Sequence, residues 1–275
     1  MAAYAQSQGV KLLEAAFTSY GPLFSTDQAV AVGKTLELSR DRVHSLLSQL
    51  QRSTWIARLK RGVYAVQSPL FQEDIHPFAI AQAIVKPMAI SHWSALAHHG
   101  LTTQIPQMVQ ASTPKKVVTP EMRKGKAYQP RGRSTWKILD FEFEFINVKK
   151  EYFFGWKDAW VSSWHRVRVM DVERTLLETI AHPEYFGSIR FGIEALEQNW
   201  AHVDLDQLVT YALRYDVGAV VKRLGWALER LGTESEILTR LHNYSVQNYY
   251  RLDPQSPRRG QTNTRWQVVE NLRLE

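Results

Sequence analysis

Cysteine is absent from all 275 residues, which excludes disulfides, thiolate metal sites and cysteine nucleophiles and fits a reducing cytoplasm. No run of 18 apolar residues occurs, so no segment reads as a membrane-spanning helix. The opening MAAYAQSQGVKLLEAAF lacks a basic start followed by an apolar block, and no secretory signal is expected from it. The phosphate loop, the dinucleotide glycine fingerprint, HExxH and GxSxG are missing as well. Internal repeats and low-complexity segments are also lacking. What remains is an ordinary globular composition, 44% hydrophobic and 22% charged, long enough for two domains.

The net charge of +7 is unevenly spread. Residues 1–68 carry eight Lys/Arg against four Asp/Glu, and residues 115–137 carry eight against Glu121 alone. The stretch 138–275 is slightly acidic, with 17 basic and 20 acidic residues. Basic patches on an otherwise near-neutral chain point to a polyanionic partner.

The stretch SRDRVHSLLSQLQRSTWIARLKRGVY, Ser39 to Tyr64, organises the N-terminal region. Ser39 is suited to cap a helix in which Val43, Leu46, Leu47 and Leu50 share one face. Asp41, Ser45, Ser48 and Arg52 lie opposite, flanked by Arg42, His44 and Gln49. Two short strands follow, Trp55–Leu59 and Val63–Val66, joined by the basic turn Lys60-Arg61-Gly62. Upstream, Ser25 and Gln28 form a capping box for a short helix, and Gly33 is expected to supply a turn of positive φ. Helix, helix, turn, helix and hairpin make a winged helix-turn-helix, whose recognition helix enters the major groove of DNA while the wing touches phosphate. The expected DNA contacts are Arg40, Arg42, Ser45, Ser48, Gln49 and Arg52 on the helix, and Arg58, Lys60 and Arg61 on the wing. A solvated amphipathic helix is the plainer alternative.

Beyond residue 70 the pattern is mixed. Prolines 69 and 77 mark a linker, Phe78–Val85 and Ser91–His99 read as helices, and Phe141–Ile146 alternates apolar and acidic residues as a half-buried strand does. Helices return at Asp171–Ala181, Ile189–Asn199, Asp206–Arg214, Val217–Leu231 and Glu234–His242, ahead of an irregular tail. The fold class is therefore α+β. A winged helix-turn-helix over 1–70 is followed over 71–275 by a larger mixed α/β domain with a helical C-terminal half, either one body or two packed lobes. Lys115, Lys116, Arg123, Lys124, Lys126, Arg131 and Arg133 form a second basic segment, expected in loops or a short hairpin because Pro120, Gly125, Pro130 and Gly132 break helices.

Catalytic signals are weak. His98 and His99 are adjacent and point about 100° apart on a helix, so with His92 they read as helix surface or internal hydrogen bonds rather than metal ligands. Gly187-Ser188 with Asp204-Leu205-Asp206 imitates a nucleotidyltransferase site, but Asp204 with Gln207 is a helix-capping pattern. No catalytic residue, metal or cofactor is expected.

Several motifs together resemble the AbiEi-type antitoxins of type IV toxin–antitoxin systems. They are RGVYAV (Arg61–Val66), MAISHWSALAHHGLT (Met88–Thr102), VMDVERTLLETIAHPEYFG (Val169–Gly187), RLGWALERLG (Arg223–Gly232) and RLDP…GQTNTRWQVVEN (Arg251–Asn271). Ser188 departs from the glycine pair expected after Phe186. The resemblance implies a cytoplasmic protein whose N-terminal domain represses its own operon at inverted repeats in double-stranded promoter DNA. It further implies that the C-terminal domain neutralises a nucleotidyltransferase-type toxin without necessarily forming a stable complex. A stand-alone transcription factor, with a ligand- or partner-sensing C-terminal domain, is the competing expectation.

Overall fold

Ser7 Oγ accepts from Val10 N at 3.3 Å and so starts the first helix, α1 (Gln8–Tyr20), which stops at Gly21 with φ of 76°. The computed structural model describes residues 7–71, 73–125 and 133–272. β1 (Leu23–Ser25) leads into α2 (Thr26–Thr35), and the capping box is present: Ser25 Oγ accepts from Gln28 N at 3.2 Å, and Gln28 Oε1 accepts from Ser25 N at 2.7 Å. α3 (Arg40–Arg52) is capped by Ser39 and buries Val43, Leu46, Leu47 and Leu50. β2 (Ile56–Lys60) and β3 (Val63–Val66) form an antiparallel hairpin, and β3 also pairs with β1, giving the sheet order β1-β3-β2. The buried face of α3 joins Leu12, Leu13, Ala16, Ala29 and Ile56 in one core. Each Val, Leu or Ile side chain here contributes about 1.5–3 kcal/mol by leaving water, so this core is what fixes α3.

Gly33 has a different task from the one its sequence context suggests. It lies within α2, not in a turn, and the positive φ of this connection falls on Glu37. A Cβ on Gly33 would stand 2.5 Å from Val43 Cγ2, so the glycine is what lets α2 and α3 approach. Gly33→Ala is expected to destabilise the protein by about 1–3 kcal/mol through overpacking, despite the better helix propensity of alanine. Urea denaturation measures it, and an unchanged midpoint would show that the helices can separate freely.

The middle of the chain runs α4 (Pro77–Ile84), β4 (Ala89–Ile90), α5 (His92–His98), β5 (Val109–Thr113), α6 (Pro120–Arg123), β6 (Arg133–Ile138), β7 (Phe141–Asn147), β8 (Trp156–Trp160) and β9 (Arg166–Met170). Its strands build one sheet in the order β6-β7-β5-β4-β9-β8. β4 pairs antiparallel with β5 (Ile90 opposite Ala111) and parallel with β9 (Ile90 opposite Val169). Pro120 does not break a helix here. It occupies the first turn of α6, where a missing N–H is harmless, and Thr119 caps that turn. The alternation of β7 also fails at Glu144, which is buried and takes a 2.6 Å ion pair from Arg133.

Five helices follow: α7 (Val172–Ala181), α8 (Ile189–Gln198), α9 (Leu205–Tyr215), α10 (Gly218–Arg230) and α11 (Ser235–His242). The tail is not irregular. β10 (Tyr250–Arg251), β11 (Gln261–Asn263) and β12 (Val268–Glu270) make a small sheet in the order β10-β12-β11. Trp266 is fully buried beside this sheet, donating from Nε1 to Glu229 at 2.6 Å. Its ring lies so close to Gly225 that an added Cβ would stand 2.0 Å from it.

Two compact units result. One holds the chain up to Met88 with Val117–Glu144 and Asp158–Arg168; the other holds Ala89–Lys116, Phe145–Lys157 and Val169 onward. The compact unit containing α1–α3 therefore extends past residue 70. Its added segments are tied in specifically: the Gln82 side chain bonds Arg166 O and Arg168 N at 2.8 and 2.9 Å, and Trp164 Nε1 donates to Glu73 at 2.6 Å. Trp164 also covers Gly21, where a Cβ would meet its ring at 2.6 Å.

Candidate nucleic-acid interface and the polar cluster of the second unit

On α3, every residue outside the buried quartet is exposed, from Arg40 and Asp41 through Arg52. The helix thus presents a continuous polar face, as its periodicity implies. Its side chains are not equally available. Arg42 Nε donates to Gln8 Oε1 at 2.9 Å, so the start of α1 orients this guanidinium. Ser48 donates to His44 O at 2.9 Å, and Arg52 Nε to Ser48 O at 3.3 Å, which turns part of both groups back onto their own helix. Arg40, Ser45 and Gln49 make no side-chain hydrogen bond among the described residues. A groove of about 290 Å³ runs beside this face, lined by Gln8, Gly9, Arg42, Gln49 and Trp55 among others. The role of Gln8 carries no sequence signal, because a lone glutamine at a helix start is unremarkable.

The hairpin tip differs from expectation at one residue. Lys60 is half-buried and its Nζ donates to Ile84 O at 2.8 Å, at the C-terminal end of α4 where carbonyls lack helical partners. Lys60 is therefore an internal tether, not a tip cation. Arg61 is exposed at the turn, and Gly62 beside it has φ of 76°. Arg58 is exposed too, with Nε 3.4 Å from Lys60 O. Arg61→Ala should lower the slope of log affinity for DNA against log salt by about one unit, whereas Lys60→Ala should act on stability first. An unchanged slope for Arg61→Ala, measured by fluorescence anisotropy across a salt series, would remove the hairpin from the interface.

The second basic segment is divided between the two units. Lys115 and Lys116 are exposed and belong to the second unit, while Arg123 and Lys124 are exposed on and after α6 in the first. Arg133 is engaged by Glu144, and Lys126 and Arg131 lie outside the described residues.

In the second unit the motif DVERTLLETIAHPEY builds a polar cluster. Asp171 caps α7, accepting from Arg174 N at 2.9 Å, and receives Tyr211 O–H at 2.8 Å. Burial and that bond push the Tyr211 phenol up to about 12. Glu173 accepts from Asp204 N at 3.0 Å, and Asp204 in turn caps α9 by accepting from Gln207 N, as its sequence suggests. Arg174, Glu178 and His182 recur every four residues and so share a face. Glu178 Oε1 stands 3.3 Å from Arg174 Nη1, and Oε2 stands 3.4 Å from His92 Nδ1 while accepting from His92 N at 3.2 Å. Burial alone would raise the Glu178 carboxyl, but His92 and then Arg174 hold it below the usual range. His92 is 1% exposed, not on the helix surface, whereas His99 Nε2 meets Met170 O at 2.7 Å. His182 Nε2 lies 2.8 Å from Tyr215 Oη, and Nδ1 lies 3.1 Å from Glu184. Burial pushes the Tyr215 phenol well up, so it stays protonated beside His182.

Among the described residues, no helix is long and apolar enough to cross a membrane, and no His/Asp/Glu group is arranged to hold a metal ion. No family model matches the chain, and no curated protein does. Among solved structures it is similar to the RV2827C protein from Mycobacterium tuberculosis, at a TM-score of 0.62 and 14% identity over 96% of this chain and 91% of that one. At that identity the likeness concerns the fold alone.

Proposed function

We propose that this chain is a DNA-binding antitoxin that represses its own operon, with residues 8–66 acting as a winged helix-turn-helix. The observation that carries the DNA-binding half is the order α1-β1-α2-α3-β2-β3 with sheet order β1-β3-β2, combined with an α3 whose apolar face is buried and whose polar face is open. That arrangement suits a helix that lays Arg40, Arg42, Ser45 and Gln49 into a major groove, with Arg61 reaching phosphate from the hairpin. The DNA would be the inverted repeats of its own promoter.

The antitoxin half rests on the sequence resemblance to AbiEi-type antitoxins, and its partner would be a nucleotidyltransferase-type toxin. Co-expression of the full chain with a neighbouring nucleotidyltransferase-like gene product tests it by growth. Rescue that survives alanine at Arg42 and Gln49 would assign neutralisation to residues outside the DNA-reading face. Absence of rescue leaves a transcription factor with a sensing C-terminal region, a reading that a cavity beside α7 favours.

A further inference from the structure

Arg174 is 1% exposed, yet its Nε makes no hydrogen bond among the described residues. The guanidinium is held by one hydrogen bond, an ion pair and two aromatic rings. Nη2 donates to Tyr152 O at 3.2 Å, Nη1 faces Glu178, and the group lies 5.2 and 5.3 Å from the ring centres of Phe154 and Tyr215. Such packing fixes an arginine in place, yet Nη1, like Nε, makes no hydrogen bond among the described residues and has only the ion pair with Glu178. A buried donor without an acceptor calls for an explanation, because native interiors rarely leave one.

A cavity of about 180 Å³ lies at this position, lined by Arg174, Glu178, His182, Tyr215, Asn147 and Lys149 among others. It is roughly six water volumes, enough for a phosphate ion or a short carboxylic acid. Glu178 is the one carboxylate in its lining; its Oε1 is ion-paired with Arg174 and its Oε2 accepts from His92 N. His182 and Tyr215 satisfy each other, with Glu184 behind. Lys149 is 71% exposed and lies 3.9 Å from Glu151, a loose pair that solvent screens. The lining thus offers a guest the Arg174 donors and the Lys149 cation.

We propose that this cavity binds a small oxyanion, a carboxylate or phosphate group, with Arg174 as the buried cation and Lys149 as the exposed one. Arginine suits the task because its planar fork matches both groups. The site stands independently of the DNA-binding reading, since all its residues belong to the second unit.

Thermal unfolding of the full chain with inorganic phosphate, and separately with acetate, each against sodium chloride at matched ionic strength, is the test. A saturable rise in Tm with either anion is expected, and titration calorimetry gives the Kd. A rise with phosphate alone or acetate alone assigns the group. Lys149→Glu should fold normally and weaken binding about tenfold or more. Arg174→Lys should abolish binding, because lysine keeps a positive charge near Glu178 but loses the fork. No saturable rise with either anion overturns the proposal and leaves Nε to water. An equal rise in wild type and Lys149→Glu overturns it as well, placing the anion elsewhere. Neither result touches the DNA-binding reading, whose assay measures DNA affinity and rests on residues of the other unit.

Discussion

Arg174→Ala lowers stability by about 3–5 kcal/mol, because it strips a fully buried carboxylate of its guanidinium. Glu178 is 1% exposed, and removing Arg174 leaves its carboxylate with the His92 contact but without the guanidinium. For a protein of this length the loss corresponds to a fall in Tm on the order of 10 °C. Replacing both partners by apolar side chains, Arg174→Met with Glu178→Leu, should recover most of that loss, since it removes the stranded charge together with its neutraliser. Acid titration follows from the same carboxylate, which His92 and then Arg174 stabilise in its charged form. The folded-state carboxyl is held below its ordinary value, so its stabilisation is present above the usual carboxylate range and is lost as pH falls through the lower folded value. The alanine variant should lose part of that dependence. A ΔΔG below about 0.5 kcal/mol, the size of a surface change, would show that the pair does not hold α7.

Gln49→Ala and Arg42→Ala are each expected to weaken binding to the proposed operator DNA by about 1–3 kcal/mol and to relax preference at one base pair. Glutamine can bond an adenine edge at two points, and arginine a guanine edge. Together the two changes should raise the Kd about a hundredfold or more. Gln8→Ala is expected to act in the same direction as Arg42→Ala but more weakly, because it frees the Arg42 guanidinium without deleting it. Equal weakening on specific and random duplexes would reduce these residues to phosphate contacts. Competition electrophoresis with single-base operator variants separates the two cases.

The helical parts were legible because their ends announce themselves. Ser25 with Gln28, Ser39, and Asp204 with Gln207 all cap as their spacing implies, and the quartet on α3 is buried as its period requires. The failures have physical causes. Three residues of β1 are too few to show a period. Lys60 reads as a tip cation in sequence, but its long stem lets the ammonium reach a helix end in α4. The tail sheet has two- and three-residue strands, held by Trp266 and by Asn271, whose side chain donates to Asp253 O at 2.8 Å. The cluster on α7 was missed for a different reason. Charged residues in a helix read as its solvated face, whereas α7 is buried from Glu173 through Ile180. The recurrence of Arg174, Glu178 and His182 at every fourth residue was the available signal.

The central claim is that the open face of α3 reads a DNA sequence. Its most direct test is the affinity of the full chain for the DNA upstream of its own gene against a shuffled duplex of equal length and composition, at one stated salt concentration. The account predicts a preference of about 10³-fold or more for the upstream DNA, and its loss when Arg42 and Gln49 are both alanine. Equal affinity of the wild-type protein for the two duplexes would contradict it.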